Sequence, residues 1–436
     1  MRVLIAPDSF KGSLGAGAAA AALAQGWLGV RPGDQVTRLP LADGGEGTLD
    51  VLAATVPGAR WHRARVTGPA GAPVTARWLS LPAESPGLQG PAKGTPGGPP
   101  GRGQNSAPRC PTAHPAVASR GLLSERGVLR DSPPRAETAV VELAETSGLP
   151  LLVHADPLGA QTTGLGEVLG RALDAGAGRI LVGLGGSAAT DGGTGALAAL
   201  GARFLDAAGR PLPPGGGALA GLARTDLSGL RPPPTGGVTC LTDVTAPLLG
   251  SYGAAAVFGP QKGADRTQIA RLEAGLARLA EVLGGDPGAP GAGAAGGTGY
   301  GLAAAWGAVL APGAAELARL TGLDRALAEA DLVITGEGMF DATSLTGKTC
   351  GTVLAAAAAA GVPVALVAGQ VSEGFAGERP ALDGAPGTVP APAAVVTLTD
   401  LAGGTAAALA SPRRWLRRAA RQLARDSTRV PPRGMA

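Results

Sequence analysis

The clearest structural signal in this chain of 436 residues is the segment Val182-Gly183-Leu184-Gly185-Gly186-Ser187-Ala188-Ala189-Thr190-Asp191-Gly192-Gly193-Thr194-Gly195. It begins at the end of a short apolar run, which has the composition of a buried strand. Five glycines then fall within eleven residues, together with a carboxylate. Successive amide groups on glycine turns form concavities that bind phosphates. The segment therefore predicts a strand that ends in an anion site, with Gly185, Gly186 and Ser187 as candidate ligands.

Similar short apolar runs, bounded by turn residues, recur along the chain. The predicted strands are 3–6, 36–39, 139–143, 179–183, 238–241, 331–335 and 364–368. Alanine- and leucine-rich segments with helical spacing lie between them, at 15–28, 165–175, 267–283 and 314–329. Strands that alternate with helices predict an α/β protein with a mostly parallel sheet. Because such sheets bind ligands beyond the carboxyl ends of their strands, the polar residues after each strand are the candidate site.

Composition indicates that folded and unfolded segments coexist. Glycine (73) and proline (38) are abundant, yet 45% of the residues are hydrophobic, which a wholly disordered chain would not show. Residues 83–135 are dense in Pro, Gly, Ser and Arg without any helical or strand period, which predicts a disordered insertion. That insertion and residues 413–435, with eight Arg against one Asp, hold the excess positive charge. The rest of the chain is acidic.

Several function classes are excluded by residue types that are scarce or scattered. The three cysteines are far apart, which excludes a disulfide framework and a cysteine zinc site and predicts a cytoplasmic location. The three histidines are too dispersed for a histidine metal site or a Ser-His-Asp triad. The longest apolar run, 353–371, is interrupted by Gly361-Val362-Pro363 and predicts a helix, a turn and a strand. We therefore expect no membrane span.

Polar residues follow the first two predicted strands, where the chain turns into a helix. Asp8-Ser9-Phe10-Lys11-Gly12-Ser13 comes after the first, and Ala42-Asp43-Gly44-Gly45-Glu46-Gly47-Thr48 after the second. Lys11 is a candidate to neutralise an anion, while Asp43 and Glu46 are candidate ligands of a magnesium ion bound to phosphates. In each segment, a helix cap is the structural alternative.

Later clusters add further charged groups. Asp243 follows the fifth predicted strand, Lys262 lies in a glycine-flanked turn, and Glu337 stands between two glycines at a strand end. Gly347-Lys348-Thr349 resembles the end of a P-loop, but the glycine required five positions earlier is Ala342, so that motif is excluded. Glycine turns that carry Asp, Glu and Lys, without a histidine base, favour phosphoryl transfer, which depends on positioning and charge neutralisation.

These motifs, taken in order, closely resemble the bacterial glycerate kinase family, of the glycerate 2-kinase type. The similarity extends from Met1 to about Val371, excluding 83–135. It implies ATP-dependent phosphorylation of D-glycerate, with Mg²⁺. It also implies a Rossmann-like parallel-sheet domain built from both chain ends, residues 1–65 and 301–436. A second α/β domain, 66–300, is inserted between them and contains the 83–135 insertion.

Roles can be assigned to the site residues as hypotheses. Asp191 is the first candidate for the base that accepts the glycerate hydroxyl proton, and Asp43 is the second. Asp43, Glu46 and Glu337 are the candidate Mg²⁺ ligands, and Lys11 would neutralise substrate charge. The residues expected to bind the nucleotide are Gly185, Gly186, Ser187, Lys262, Gly336, Gly338 and Lys348.

Two alternatives stay open. The acceptor could be another small hydroxy acid or a sugar, because its binding residues cannot be identified by type. The arginine-rich segment 413–421 could form a helix that binds nucleic acid or an acidic surface. A solvated terminal helix is favoured, since no other basic patch is evident, so we expect no nucleic-acid partner. A homodimer is left open.

Overall fold

The computed structural model describes residues 1–83, 137–372 and 391–427. The predicted insertion, 83–135, therefore lies outside the described residues except for Ala83. In chain order the strands are β1 (Arg2–Ile5), β2 (Gln35–Arg38), β3 (Arg60–Thr67), β4 (Pro73–Leu81), β5 (Thr138–Glu142), β6 (Arg179–Gly183), β7 (Arg203–Leu205), β8 (Arg224–Asp226), β9 (Val238–Thr242), β10 (Val309–Pro312), β11 (Leu332–Phe340), β12 (Val364–Val371) and β13 (Ala394–Thr397).

Fourteen α-helices connect these strands in the described ranges. They are α1 (Ala16–Leu28), α2 (Thr48–Thr55), α3 (Ala144–Ser147), α4 (Thr163–Asp174), α5 (Thr194–Ala199), α6 (Ala254–Phe258), α7 (Arg266–Leu283), α8 (Ala294–Trp306), α9 (Gly313–Thr321), α10 (Leu323–Glu329), α11 (Thr349–Ala359), α12 (Leu398–Ala402), α13 (Thr405–Ala410) and α14 (Pro412–Asp426). None of them, over residues 1–83, 137–372 and 391–427, has the length and hydropathy that a membrane span requires.

The first sheet is parallel throughout and takes its strands from both ends of the chain, in the order β13-β12-β11-β1-β2. Alternate residues of β1 face opposite sides, as the period of a strand dictates. Val3 and Ile5 pack with α1 and α14, while Leu4 packs with α10 and α11. Because both faces are covered, the central strands of this sheet are almost wholly apolar.

The second sheet is mixed, in the order β10-β9-β6-β5-β4-β3, with β3 and β4 antiparallel. Val182 on β6 faces the core formed with α4, α5 and α7. Leu181 faces the other way, toward a core that includes Leu49 of α2 and Leu317 of α9. Helices α2 and α9 therefore lie between the two sheets, and the predicted α/β fold class is confirmed.

The structure corrects one helix and adds strands. The predicted helix 314–329 is two helices, because Gly322 adopts a left-handed conformation with φ of 79° between α9 and α10. The predicted strand 331–335 continues to Phe340 in β11. The strands of the second sheet run from β3 to β10, whereas the domain division at 65/66 and 300/301 stays a prediction. The 65/66 position falls inside β3 and the 300/301 position inside α8.

The arginine-rich segment forms α14, which packs against α1. Its apolar face is buried, with Leu416 fully covered, and its arginines are exposed on the other side. A Cβ added to Gly26 of α1 would lie 2.3 Å from the carbonyl oxygen of Arg417, so the two backbones are in close contact. Helix α14 thus belongs to the helical layer that covers one face of the first sheet, and is not a solvated tail.

Shortening this apolar face is expected to destabilise the fold. Leu416→Ala should cost about 2–5 kcal/mol of unfolding free energy, because it removes a fully buried side chain and leaves a cavity. Arg413→Ala, on the exposed face, should stay within about 0.5 kcal/mol of the wild type. Urea unfolding followed by circular dichroism measures both. Equal stabilities would show that α14 contributes no packing energy.

Candidate active site

The loop after β2, residues 42–47, lies against the carboxyl ends of strands in the second sheet. The amide of Gly185 donates to the carbonyl oxygen of Gly44 at 3.3 Å. A Cβ on Gly185 would lie 2.4 Å from the Cα atom of Gly45, and one on Gly183 would lie 2.5 Å from the Gly44 oxygen. Glycine is therefore needed on both sides of this contact, which brings the two sheets together at the site.

This loop places Asp43 opposite Lys11. The Lys11 Nζ atom lies 3.7 Å from Asp43 Oδ2, and the side chain of Lys11 is 71% exposed whereas that of Asp43 is 7% exposed. The second oxygen of Asp43, Oδ1, accepts from the Gly45 amide at 3.0 Å. The pKa of Lys11 is raised, chiefly by Asp43 and further by Asp243, Asp8 and Glu337. One ammonium group therefore faces four carboxylates from both sheets.

Burial and the nearby carboxylate of Asp43 raise the pKa values of Asp8 and Asp243. Burial raises the pKa of Asp8 to about 7, and the neighbouring Asp43 adds to the rise. The pKa of Asp243 is raised by burial and by the same neighbour, while Lys11 and Lys348 oppose the shift. Such an excess of negative charge favours the binding of a cation, which can in turn bind phosphates.

Glu337 lies in β11 beside Lys348. Burial raises its pKa, and hydrogen bonding with Ser344 and Cys350, followed by the charge of Lys348, opposes that rise. Its Oε1 atom is buried and, over the described residues, has no hydrogen-bond partner. Among the described residues, Lys348 forms no ion pair with a carboxylate. Its Nζ atom donates to Thr343 Oγ1 at 2.8 Å. The fold therefore brings together the carboxylate of Glu337 and the ammonium group of Lys348, both of which are candidate site residues in the sequence.

The two glycines beside Glu337 serve different contacts. A Cβ on Gly336 would lie 2.0 Å from the Val367 carbonyl oxygen, so this glycine is required where β11 packs beside β12. A Cβ on Gly338 would lie 3.3 Å from the Lys11 amide nitrogen, close to the charged group. Packing alone accounts for Gly336, and its predicted contact with the nucleotide stays a prediction.

A second group of predicted residues lines a separate cavity of about 140 Å³. Gly185, Gly186 and Ser187 form one wall, and Lys262 and the turn 294–296 form others. Lys262 is 2% exposed, and its Nζ atom donates to the carbonyl oxygen of Ala189 and to Thr190 Oγ1. Burial lowers its pKa to about 8, although Asp191 opposes the shift.

Asp191 lies behind this cavity and is fully buried. Its Oδ2 atom accepts from the amide and hydroxyl of Thr162 and from the Gly195 amide, and its Oδ1 atom accepts from the Gly193 amide. Burial raises its pKa and these hydrogen bonds oppose the rise. Among the described residues, Asp191 lines neither this cavity nor the one beside Asp8. Asp191 is also not among the carboxylates whose charges act on Lys11.

Glu46 lies beside Asp8 but is not among the carboxylates whose charges act on Lys11. It is exposed and lines a cavity of about 220 Å³ between the N-termini of α1 and α2, together with Asp8. In the ranges 1–83, 137–372 and 391–427, no three His, Cys, Asp or Glu side chains are arranged to hold a metal ion. Because Mg²⁺ usually binds one or two carboxylates and completes its coordination with water and substrate phosphates, two carboxylates are enough for the predicted site.

Sequence reasoning gave little weight to three residues that the structure places at this site. Asp8 and Asp243 directly follow strands, a signal that was available but weak for single carboxylates. Glu142, at the end of β5, accepts from the Gly47 amide at 2.9 Å and from the Leu49 amide at 3.2 Å. It caps α2 from the other sheet, a contact that no local sequence pattern reveals.

Comparisons with known proteins agree with this architecture. The model of the "Glycerate kinase family" matches residues 3–88 and 111–428. Glycerate kinase of Bacillus subtilis (strain 168) is 38% identical over 85% of this chain and 86% of its own. Glycerate 2-kinase of Escherichia coli (strain K12) is 37% identical over 80% of each chain. The crystal structure of putative glycerate kinase 2 from Salmonella typhimurium LT2 is 34% identical, with a TM-score of 0.70 over 98% of each chain.

The extent of the match corrects the sequence analysis. The resemblance was expected to end near Val371 and to exclude 83–135, but the match continues to residue 428 and leaves out only 89–110 between its two parts. The C-terminal helices are therefore part of the shared fold, which agrees with the packing of α14 on α1. On the family match and the identities together, this chain belongs to the glycerate kinase family.

Proposed function

We propose that the protein transfers the γ-phosphoryl group of ATP to D-glycerate and forms 2-phosphoglycerate. Family membership supports the reaction class. The name of the Escherichia coli relative, glycerate 2-kinase, favours the hydroxyl on carbon 2. The observation that carries the proposal is the group of carboxylates around Lys11, which comes from strand ends of both sheets. Phosphoryl transfer requires such positioned charges.

Asp43 is our proposed base for the acceptor hydroxyl. It is nearly buried, it faces Lys11, and its loop is in contact with the glycine turn at 183–185. A base must lie within hydrogen-bond reach of the proton it accepts, and Asp43 faces an exposed ammonium group whereas Asp191 is fully buried. Asp191 is instead proposed as a positioning residue, which organises the turns at 162 and 193–195 through its four hydrogen bonds.

Glu337 and Asp8 are our proposed ligands for Mg²⁺. The unpartnered buried Oε1 atom of Glu337 fits a cation, because an oxygen left without a donor is costly unless something else compensates it. When bound, the ion would neutralise charge on the phosphates and polarise the transferred group. Lys11 and Lys348 would supply the remaining positive charge. Glu46, which is exposed, is a less favoured ligand.

A substrate survey tests the reaction. We expect ADP release with D-glycerate and ATP to exceed release with L-glycerate, lactate, glycerol or sugars by at least about 10²-fold in kcat/KM. Phosphorus NMR of the product identifies the position, since a phosphate on carbon 2 is coupled to one proton and a phosphate on carbon 3 to two. Preference for another hydroxy acid or a sugar would support the alternative acceptor. Activity with none of them would contradict the kinase proposal.

Location, oligomeric state and the exposed arginines of α14 are the other features for which the sequence makes a prediction. A cytoplasmic location follows from the cysteine usage, and the homodimer is still an open prediction. Binding of nucleic acid or of an acidic surface through the exposed arginines of α14 is the less favoured alternative, since its apolar residues are already buried against α1.

A further inference from the structure

The cavity beside Lys262 contains a buried ammonium group without a carboxylate in ion-pair contact. Among the described residues, no acidic side chain lies within 4.0 Å of the Lys262 Nζ atom. This atom donates to the Ala189 carbonyl oxygen and to the Thr190 hydroxyl. An ammonium group has three donors, so one remains for a ligand. Because burying an unpaired charge is costly, this arrangement is typical of a site that an anion completes.

Backbone amides point to the same kind of ligand. Gly186 has a left-handed φ of 74°, a conformation that lets successive amides converge. Within the described part of the chain, the amides of Gly186 and Ser187 have no hydrogen-bond acceptor. Across the cavity, Ala295 has a φ of 53° and is the one non-glycine residue at positive φ in the described ranges. Strain of this kind is often found at ligand sites.

We infer that this cavity binds the carboxylate of the small hydroxy acid, and not the nucleotide; the inference rests on the proposed function. The cavity of about 140 Å³ is open to solvent on one side and has room for a three-carbon acid. One ammonium group and two amides match a single negative charge. Lys11 and Lys348, which we assign to the phosphates of the nucleotide, do not line this cavity.

The position of the cavity agrees with this assignment. Thr242 and Val244 both line it, and Asp243 between them belongs to the carboxylate group around Lys11. Gly185, in the cavity wall, is in contact with Gly45 of the Asp43 loop. An acid held by its carboxylate at Lys262 would therefore extend its hydroxyl groups toward Asp43. Lys262 becomes the residue that selects acids over uncharged polyols.

Lys262→Met tests this inference. The variant removes the charge and keeps an apolar stem of similar length. We expect the dissociation constant for D-glycerate, measured by calorimetry without nucleotide, to rise at least about 50-fold, whereas that for ATP changes less than about 3-fold. The preference for glycerate over glycerol in kcat/KM should largely disappear. Arg266→Met is the matched control, since it removes one exposed positive charge nearby and should leave both affinities unchanged.

A second measurement needs only the wild-type protein, in case the variant does not fold. The pKa of Lys262 is about 8, so its ammonium group loses the positive charge above that pH. Asp191 is the charged group that acts on it. Glycerate affinity should fall by about 30-fold between pH 7 and 9.5, with no parallel loss for glycerol.

The outcomes separate the two proposals. If the wild type phosphorylates glycerate but Lys262→Met weakens ATP and spares glycerate, the cavity serves the nucleotide and the inference is wrong, while the proposed function stands. A glycerate affinity that does not change with pH would also contradict the inference. If the wild type neither binds nor phosphorylates glycerate, the proposed function fails and the inference fails with it.

Discussion

Asp43→Asn is expected to lower kcat by about 10²–10⁴-fold, the usual contribution of a positioned general base. Stability should change little. The amide oxygen of asparagine can still accept from the Gly45 amide, and the lost ion pair involves a Lys11 that is 71% exposed, so it contributes at most about 1 kcal/mol. Steady-state kinetics and thermal unfolding on the same preparation measure the two effects. Near-normal turnover would remove Asp43 from the role of base.

Asp191→Asn is the matched comparison, because it makes the same chemical change in a carboxylate that is fully buried. Both Asp191 oxygens accept from N–H or O–H donors, so the NH₂ group of asparagine must face a donor. One buried donor left unpaired costs about 1–3 kcal/mol. We therefore expect a lower unfolding midpoint and, per folded molecule, a kcat within about 10-fold of the wild type. A stable variant that loses two or more decades of turnover would restore Asp191 as the base.

Much of the fold could be predicted because its central strands are buried on both sides. Residues 179–183 were predicted with the bounds that β6 has, since an apolar run between turn residues leaves few alternatives. Strand β3, Arg60–Thr67, was missed because five of its eight residues are charged or polar and it buries only Ala64 and Val66. Its pairing with β4 is antiparallel and half-exposed, and local patterns describe such strands poorly.

The site was predictable in its residue types and only partly in its grouping. Lys11, Asp43 and Glu337 come from strand ends of one sheet, and the charges of Asp43 and Glu337 act on Lys11, as the rule that ligands bind at carboxyl ends predicts. The same rule grouped Asp191 with them, although its carboxylate turns back into the second core and is satisfied by local amides. A strand end identifies the edge of a sheet, but not whether a side chain faces the cleft or the interior.

The glycines illustrate the same limit. Gly185 was interpreted as part of a phosphate-binding turn, but both it and Gly183 are required where the Asp43 loop lies against the second sheet. Glycine in a sequence indicates close approach without saying whether a ligand or another backbone approaches. Only Gly186, at positive φ with an unpaired amide, retains the character of an anion site. The contact between sheets depends on pairing distant segments, which the sequence does not reveal.

Gly313→Ala should disrupt catalysis from outside the charged group. Gly313 is the first residue of α9, and a Cβ there would lie 1.8 Å from the carbonyl oxygen of Asp43 and 2.6 Å from its carbonyl carbon. The backbone of Asp43 must therefore move. Because misplacement of a catalytic group by about 1 Å costs on the order of 10²-fold in rate, we expect kcat/KM to fall by that factor. Overpacking should also cost about 1–3 kcal/mol of stability.

The sign of the stability change makes this prediction sharp. Alanine in place of glycine inside a helix ordinarily stabilises by about 0.5–1 kcal/mol, and Gly313 has no positive φ that would oppose it. Gly170→Ala in α4 is the control, since its nearest neighbour would be Arg231 Nη1 at 3.5 Å, an ordinary contact. It should stabilise slightly and leave kcat/KM unchanged. If Gly313→Ala behaved like Gly170→Ala, the Asp43 loop would not be held by contact with α9, and its position would have to depend on the glycine turn of β6 alone.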